Sequence, residues 1–444
     1  MGHPDHPSAA PTMHRMNAGA GVERVARDVV IGISVGLVSG IGSYAFLEGL
    51  DWATRTRVSH GWLLWLLPLA GIAIGVVYLH LGGESAKGTN LILDEWHDPT
   101  DMGPPKRMAP LVLVGTTATQ LFGGSVGREG AAVQIAASLT SLFRRWIAPE
   151  DRRAVMVAAI AGGFGSVFGV PAAGAVFALE VPHVGRTRYN HVVAALLASF
   201  VGDRYARQLG THHTVRGPVA LDMDIAVALK LCAAASAFAL CSVAFVELTH
   251  LLKRALTKRI SYAPIRPALG GVVTVALTVG FGTRAYLGLS LPLLDSALAG
   301  LAVGSTAFVL KLVFTSVAVG SGFPGGEVTP LFCMGACLGS ILAGPLRLDK
   351  PALAAIGMVT VFAAAANTPI TCALVGIELF GGGATFAFVF VPILATVMSG
   401  DRSVYGRQRV HRSTGIPGVD GEPTTMGALD SARAAAIRER LKRR

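Results

Sequence analysis

Apolar runs dominate the chain and follow one another with few polar interruptions. They occupy about 28–50, 61–81, 108–123, 129–146, 153–166, 171–182, 190–209, 222–252, 266–283, 289–303, 304–320, 328–345, 352–366, 369–380 and 384–400. Several are shorter than the roughly 20 residues a helix needs to cross a bilayer. Many begin or end at glycine-rich or proline-containing joints, such as Gly123-Gly124-Ser125-Val126-Gly127 and Gly320-Ser321-Gly322-Phe323-Pro324-Gly325-Gly326. A simple bundle of hairpins would not need such breaks. Interrupted helices at membrane depth are tolerated where they line a cavity or pack inside protein. The pattern predicts an all-α polytopic membrane protein of short, broken helices, and a transporter or channel.

Composition narrows the alternatives. Of 444 residues, 52% are hydrophobic and only 15% charged, against about 25% charged in soluble domains. So few charges cannot clothe a soluble globule of this size, and the chain is too apolar for disorder. The net charge is +11, and the stretch 401–444 supplies +5 of it, from ten Lys/Arg and five Asp/Glu. Basic residues in ends and loops fit cytoplasmic anchoring in a bilayer rather than nucleic-acid binding. Residues 1–27, with His3, His6 and His14, lack a signal-peptide pattern and are expected to be a flexible cytoplasmic end. Residues 406–444 are expected to be a basic cytoplasmic tail without CBS domains, with a short surface helix from about Ser431. The stretch Lys253-Arg254…Lys258-Arg259 reads as a cytoplasmic loop. Cys232, Cys241, Cys333, Cys337 and Cys372 lie in apolar runs, with no disulfide or zinc spacing.

A repeat is visible. Val170–Glu180 and Thr368–Glu378 share Pro, Ala and Glu positions at an offset of 198. Gly127-Arg128-Glu129-Gly130-Ala131 lies opposite Gly326-Glu327-Val328-Thr329-Pro330 at an offset of 199, each opening an apolar run. Two motifs at nearly one offset predict a duplication, with halves of about 28–220 and 221–405 in one transport domain, 28–405.

Glu129 is the strongest chemical candidate. It precedes an apolar helix, where free N–H groups and the dipole favour an anion. A carboxylate tethered there can occupy an anion site and leave it when protonated, acting as gate and proton carrier. A plain N-cap, or a pair with Arg128, is the structural alternative. An ionisable residue at membrane depth tips the balance towards function. Glu327 opens the second half's helix, and Thr329 and the backbone around Val328 offer donors. The polar break before Leu91 fits a further helix start facing an anion; its Lys87-Gly88-Thr89 order is wrong for a phosphate loop. Tyr405 can donate its phenol to an anion, although an interfacial tyrosine is the default. Glu180 and Glu378 read as helix-end or pairing residues. Lys311 reads as a snorkelling residue or a buried ion pair.

Together these residues resemble the CLC family of anion channels and anion/proton antiporters over about residues 28–410. Gly127-Arg128-Glu129-Gly130 is similar to the family's gating-glutamate motif, with Ala131 where proline is usual. Lys311–Thr315 and Gly320–Pro330 resemble its second-half signature. Tyr405 stands where the family places an anion-coordinating tyrosine. The resemblance implies an inverted repeat, a homodimer and one anion path per subunit. Three departures stand out: Gly88-Thr89-Asn90-Leu91-Ile92 replaces Gly-Ser-Gly-Ile-Pro, Gly326-Glu327-Val328-Thr329-Pro330 replaces Gly-Ile-Phe-Ala-Pro, and Val181 replaces an inner glutamate. With Asn90–Glu95, they resemble the bacterial fluoride/proton antiporter branch. That resemblance implies a coupling role for Glu327. It also implies an anion site drawn from Thr89, Asn90, Gly127, Arg128, Gly130, Val328, Thr329 and Tyr405. The expected protein is a multi-pass protein of the bacterial inner membrane with both termini cytoplasmic. It exports fluoride against protons and needs no metal or organic cofactor. The nearest rival is a chloride/proton antiporter or passive chloride channel of the same fold. An intramembrane protease would need a nucleophile and a base at membrane depth; Ser125 is present, but His191 and His250 lie near segment ends.

Overall fold

The computed structural model describes residues 18–185, 189–213, 216–410 and 424–429. The N-terminal histidines and the helix expected from Ser431 lie outside them. In the first half, α1 (Ala18–Ser59) and α2 (Leu67–Val77) precede the short α3 (Thr89–His97) and α4 (Met108–Leu121). Then come α5 (Glu129–Thr140), α6 (Arg152–Phe168), α7 (Pro171–Glu180) and α8 (Val192–Gln208). The second half opens with the long α9 (Ile225–Arg259), α10 (Ile265–Gly280), α11 (Leu291–Leu298) and α12 (Ala307–Ser321). It closes with α13 (Val328–Leu346), α14 (Lys350–Ala366), α15 (Pro369–Phe380) and α16 (Thr385–Ser399). Among the described residues, five helical segments are long and apolar enough to cross a membrane, and six apolar helices are shorter.

Two reciprocal contacts relate the halves as an inverted repeat. The Glu180 carboxylate, at the end of α7, accepts from the N–H groups of Ile370 (2.9 Å) and Thr371 (2.7 Å), at the start of α15. The Glu378 carboxylate, near the end of α15, accepts from Ala172 (2.9 Å) and Ala173 (2.8 Å), at the start of α7. Each helix thus caps the other's free N–H groups, which requires them to run antiparallel. Farther along, Gly127 and Gly326 exchange both backbone hydrogen bonds, 2.5 Å and 2.9 Å. A two-fold relation between the halves accounts for both pairs.

Small residues let the helices approach closely. Gly32, Gly36 and Gly40 form a ridge at four-residue spacing on α1, facing Ala194, Ala198 and Gly202 of α8. A Cβ at Gly36 would lie 2.9 Å from the Ala198 carbonyl. On α13 a Cβ at Gly335 would lie 2.1 Å from the carbonyl of Gly357 on α14. This is how helices pack where lipid competes on equal terms with apolar side chains. The abundance of glycine therefore has a packing cause. Helix α14 is buried from Ala352 to Ala366, whereas Trp62, Trp65, Leu69, Leu229 and Leu240 are exposed apolar residues on or beside the outer helices.

Three segments depart from expectation. Lys253–Arg259 is no loop; α9 continues through it, and its basic side chains sit at the helix's negative end. The start of the tail is structured: β2 (Arg409–Val410) pairs in parallel with β1 (His183–Val184) and antiparallel with β3 (Thr424–Thr425). Val410, Met426 and Leu429 form a small buried cluster there. Helix α1 begins at Ala18, ten residues before the expected start of the transport domain.

Candidate functional site

Glu129 is the first residue of α5 and is fully buried. Its carboxylate is seated on the start of α13. The Thr329 N–H donates to it at 3.1 Å, and the Thr329 hydroxyl reaches both oxygens at 2.7 Å. The Thr329 amide is one of the first-turn donors that α13 cannot satisfy internally. A small anion would seek the same position, because it combines an N–H, a hydroxyl and the positive end of a dipole. Arg128, the N-cap of α5, places its Nε 3.5 Å from the same carboxylate.

Two cavities approach the residues that flank this carboxylate. One, of about 790 Å³, is lined by Arg57, Arg128, His212, His213, Arg284 and Ser290, among others. The other, of about 550 Å³, is lined by Thr89, Asn90, Gln134, Lys253, Glu327 and Tyr405, among others. They lie at opposite ends of α2 and α10. The first takes Gly61 and Leu64, before α2, and Arg284, after α10. The second takes Gly75 and Tyr78, at the end of α2, and Arg266, at the start of α10. Arg128, next to Glu129, lines the first, and Glu327, two residues before Thr329, lines the second.

The remaining expected residues divide. Thr89 opens α3; its hydroxyl accepts from Gln134 Nε2 at 3.1 Å and packs against Gly130. Asn90 faces the same cavity, but its Oδ1 is engaged by the Arg407 N–H at 3.1 Å, tying α3 to the segment after Tyr405. Tyr405 is buried and lines the Glu327 cavity. Val328 is the buried first residue of α13. Gly127 does not offer its N–H to an anion: that donor is spent on Gly326. Val181 is buried behind Glu180, and its carbonyl accepts from Gln408 at 2.8 Å.

The glycine bridge fixes the register between the halves. The bridge is antiparallel, so the two-fold relation makes Gly127 and Gly326 equivalent, and the same offset of 199 makes Arg128 equivalent to Glu327. Glu327, the N-cap of α13, is the counterpart of Arg128 rather than of Glu129.

Lys311 also corrects its expectation. It does not snorkel, and among the described residues it meets no carboxylate. Fully buried on α12, its ammonium donates to Ser125 Oγ (2.9 Å), Ser290 Oγ (2.9 Å) and the carbonyls of Gly288 (2.8 Å) and Tyr286 (3.3 Å). Ser125 belongs to the loop that carries Glu129, so Lys311 fixes that loop to the second half. Sequence reasoning missed Gln134 as well. Its signal was a lone amide on an apolar helix, five residues after Glu129.

Two inverted halves that bring a helix start to a buried carboxylate, with charged residues beside it lining two cavities, define a membrane anion transporter. The chain belongs to the CLC family, since residues 70–400 match the voltage gated chloride channel family. It is 41% identical over 391 residues to a chloride/fluoride channel protein of Pseudomonas syringae pv. tomato, covering 85% of each chain. Among solved structures it is similar to a CLC-type fluoride/proton antiporter, with a TM-score of 0.84 and 31% identity, over 87% of this chain and 98% of that one. A slow cyanobacterial Cl⁻/H⁺ antiporter shares the fold at 16% identity and a TM-score of 0.73, over 84% of this chain and 94% of that one.

Proposed function

We propose that this protein exports fluoride from a bacterial cell in exchange for protons, as a homodimer in the inner membrane with both termini cytoplasmic. The observation that carries the reading is the seat of Glu129. Its carboxylate occupies the position at the start of α13 that an anion would take, and its neighbours Arg128 and Glu327 line two cavities. Protonation weakens its hold on the Thr329 donors, because a neutral carboxyl accepts more weakly than a carboxylate. The side chain then leaves, the anion passes, and the proton travels on Glu129. Glu327 is the coupling carboxylate on the opposite cavity. Neutral donors, Thr89 and Tyr405 among them, replace part of the water shell that fluoride must shed. The likeness to a chloride/fluoride channel protein at 41% identity and to a fluoride/proton antiporter at 31% identity supports the choice of ion.

Efflux from proteoliposomes tests the reading. Fluoride release with stoichiometric proton uptake is expected. Preferential chloride release, or fluoride release without proton movement, would contradict it.

A further inference from the structure

The larger cavity contains a feature that the gate does not use. Arg57, at the end of α1, and Arg284, in the loop after α10, both line it. Neither has a carboxylate partner among the described residues. The cavity's other charges are largely occupied. Arg128 pairs with Glu129 at 3.5 Å, Asp51 with Arg55 at 3.4 Å, and His213 lies 3.4 Å from Asp203. Glu48 is exposed at the rim.

Both arginines occupy space that glycines leave open. The Arg284 guanidinium fills the space where a Cβ at Gly61 would stand, 2.0 Å from its Nη1. Arg57 in turn reaches the space beside Gly288, where a Cβ would lie 2.9 Å from its Nη2. Each segment thus leaves room for the other's arginine. Beneath them, the ammonium of Lys311 donates to the Gly288 carbonyl. Arg284 acts electrostatically on Arg57, and Arg57 on Lys311. Arg57 and Lys311 thus meet at the loop that carries Arg284, and among the described residues no carboxylate lies within ion-pair distance of either arginine. Like charges brought together in a cavity repel unless an anion compensates them.

We infer that Arg57 and Arg284 form a halide station in this cavity, where a single small anion rests between the gate and the bulk solution. A guanidinium suits this task because it is always charged, offers several donors and is weakly hydrated. The station concentrates the transported anion at the gate's mouth, as a focused positive field does in other clefts. The inference rests on the anion path, not on the choice of fluoride or on proton coupling.

Bromide supplies the probe. Crystals of the full chain soaked in bromide are expected to show an anomalous peak between the two guanidinium groups. Arg57→Gln/Arg284→Gln should lose that peak, and Gly61→Ala, which pushes Arg284 aside without removing charge, should weaken it. In proteoliposomes at low ionic strength the double variant should pass anions about tenfold more slowly. It should converge on the unmodified protein as added sulfate screens the field. A missing peak in the unmodified protein, a peak that survives the double substitution, or an unchanged flux at low ionic strength would each overturn the station. Proton uptake, recorded in the same vesicles, reports on the exchange reading separately. Uncoupled flux that still slows in the double variant would retain the station and reject the exchange.

Discussion

Arg128 and Glu327 occupy the same place in the two halves, yet they carry opposite charges and line opposite cavities. Each is the N-cap of the helix that follows the bridged glycine. One residue later the halves differ again. Glu129 turns inward onto α13, while Val328 simply packs. At the third position Gly130 leaves room for the Thr89 hydroxyl, whereas Thr329 grips the Glu129 carboxylate. The scaffold is symmetric and the chemistry is not. A symmetric backbone supplies two helix starts facing a common centre. Unequal side chains give that centre a direction, with a cation at one mouth and a carboxylate at the other.

Substituting the two caps is the strongest way to break this comparison. Glu327→Gln is expected to reduce proton uptake to background. Arg128→Gln should slow the flux but leave it proton-coupled. Equal loss of coupling in both variants would mean that the two mouths are not functionally distinct.

Thr329→Val tests the seat itself at nearly constant volume. It removes a hydrogen bond to a charged group, worth about 1.5–3 kcal/mol. Occupancy of the seat by Glu129 should fall by roughly 10–100-fold. Uncoupled anion leak should rise accordingly, measured as ion release without proton uptake. Gly130→Ala adds bulk without touching a donor to Glu129, and should raise the leak much less.

The smallest effects belong to the symmetric scaffold. Glu180→Ala and Glu378→Ala each remove a cap from the partner helix, and a cap is worth about 1 kcal/mol. Both should lower the unfolding transition by similar amounts in detergent. A large disparity would show that the halves are not equivalent even where their geometry is.

Much of the fold was legible in the sequence, for physical reasons. Apolar runs broken at glycine and proline mark helix ends, and α13, α15 and α16 begin within one residue of the runs' starts. The Pro…Glu repeat marked α7 and α15, because proline suits a helix's first turn and glutamate its partner's start. The Glu129 seat was foreseeable too, since a carboxylate before an apolar helix has few stable places at membrane depth. Other features depended on three-dimensional register. The offset of 199 already set Glu327 against Arg128, but only the Gly127–Gly326 bridge makes that alignment physical. Lys311 misled because a lysine in an apolar run suggests a carboxylate partner, while its actual acceptors come from two distant loops. Nor could the basic residues of α9 reveal that the helix continues through them, since charge at a helix C-terminus and charge in a loop look alike in sequence. The β strands are two residues each, too short for any periodicity to register.

The central claim is that Glu129 carries the proton from the seat it occupies on α13. Proton uptake during fluoride efflux from vesicles containing Glu129→Gln tests it most directly. A glutamine can hold the seat but cannot release or accept a proton there. Proton movement should vanish in the variant, while the unmodified protein should take up protons in fixed proportion to the fluoride it releases. Undiminished proton uptake by Glu129→Gln would contradict the account.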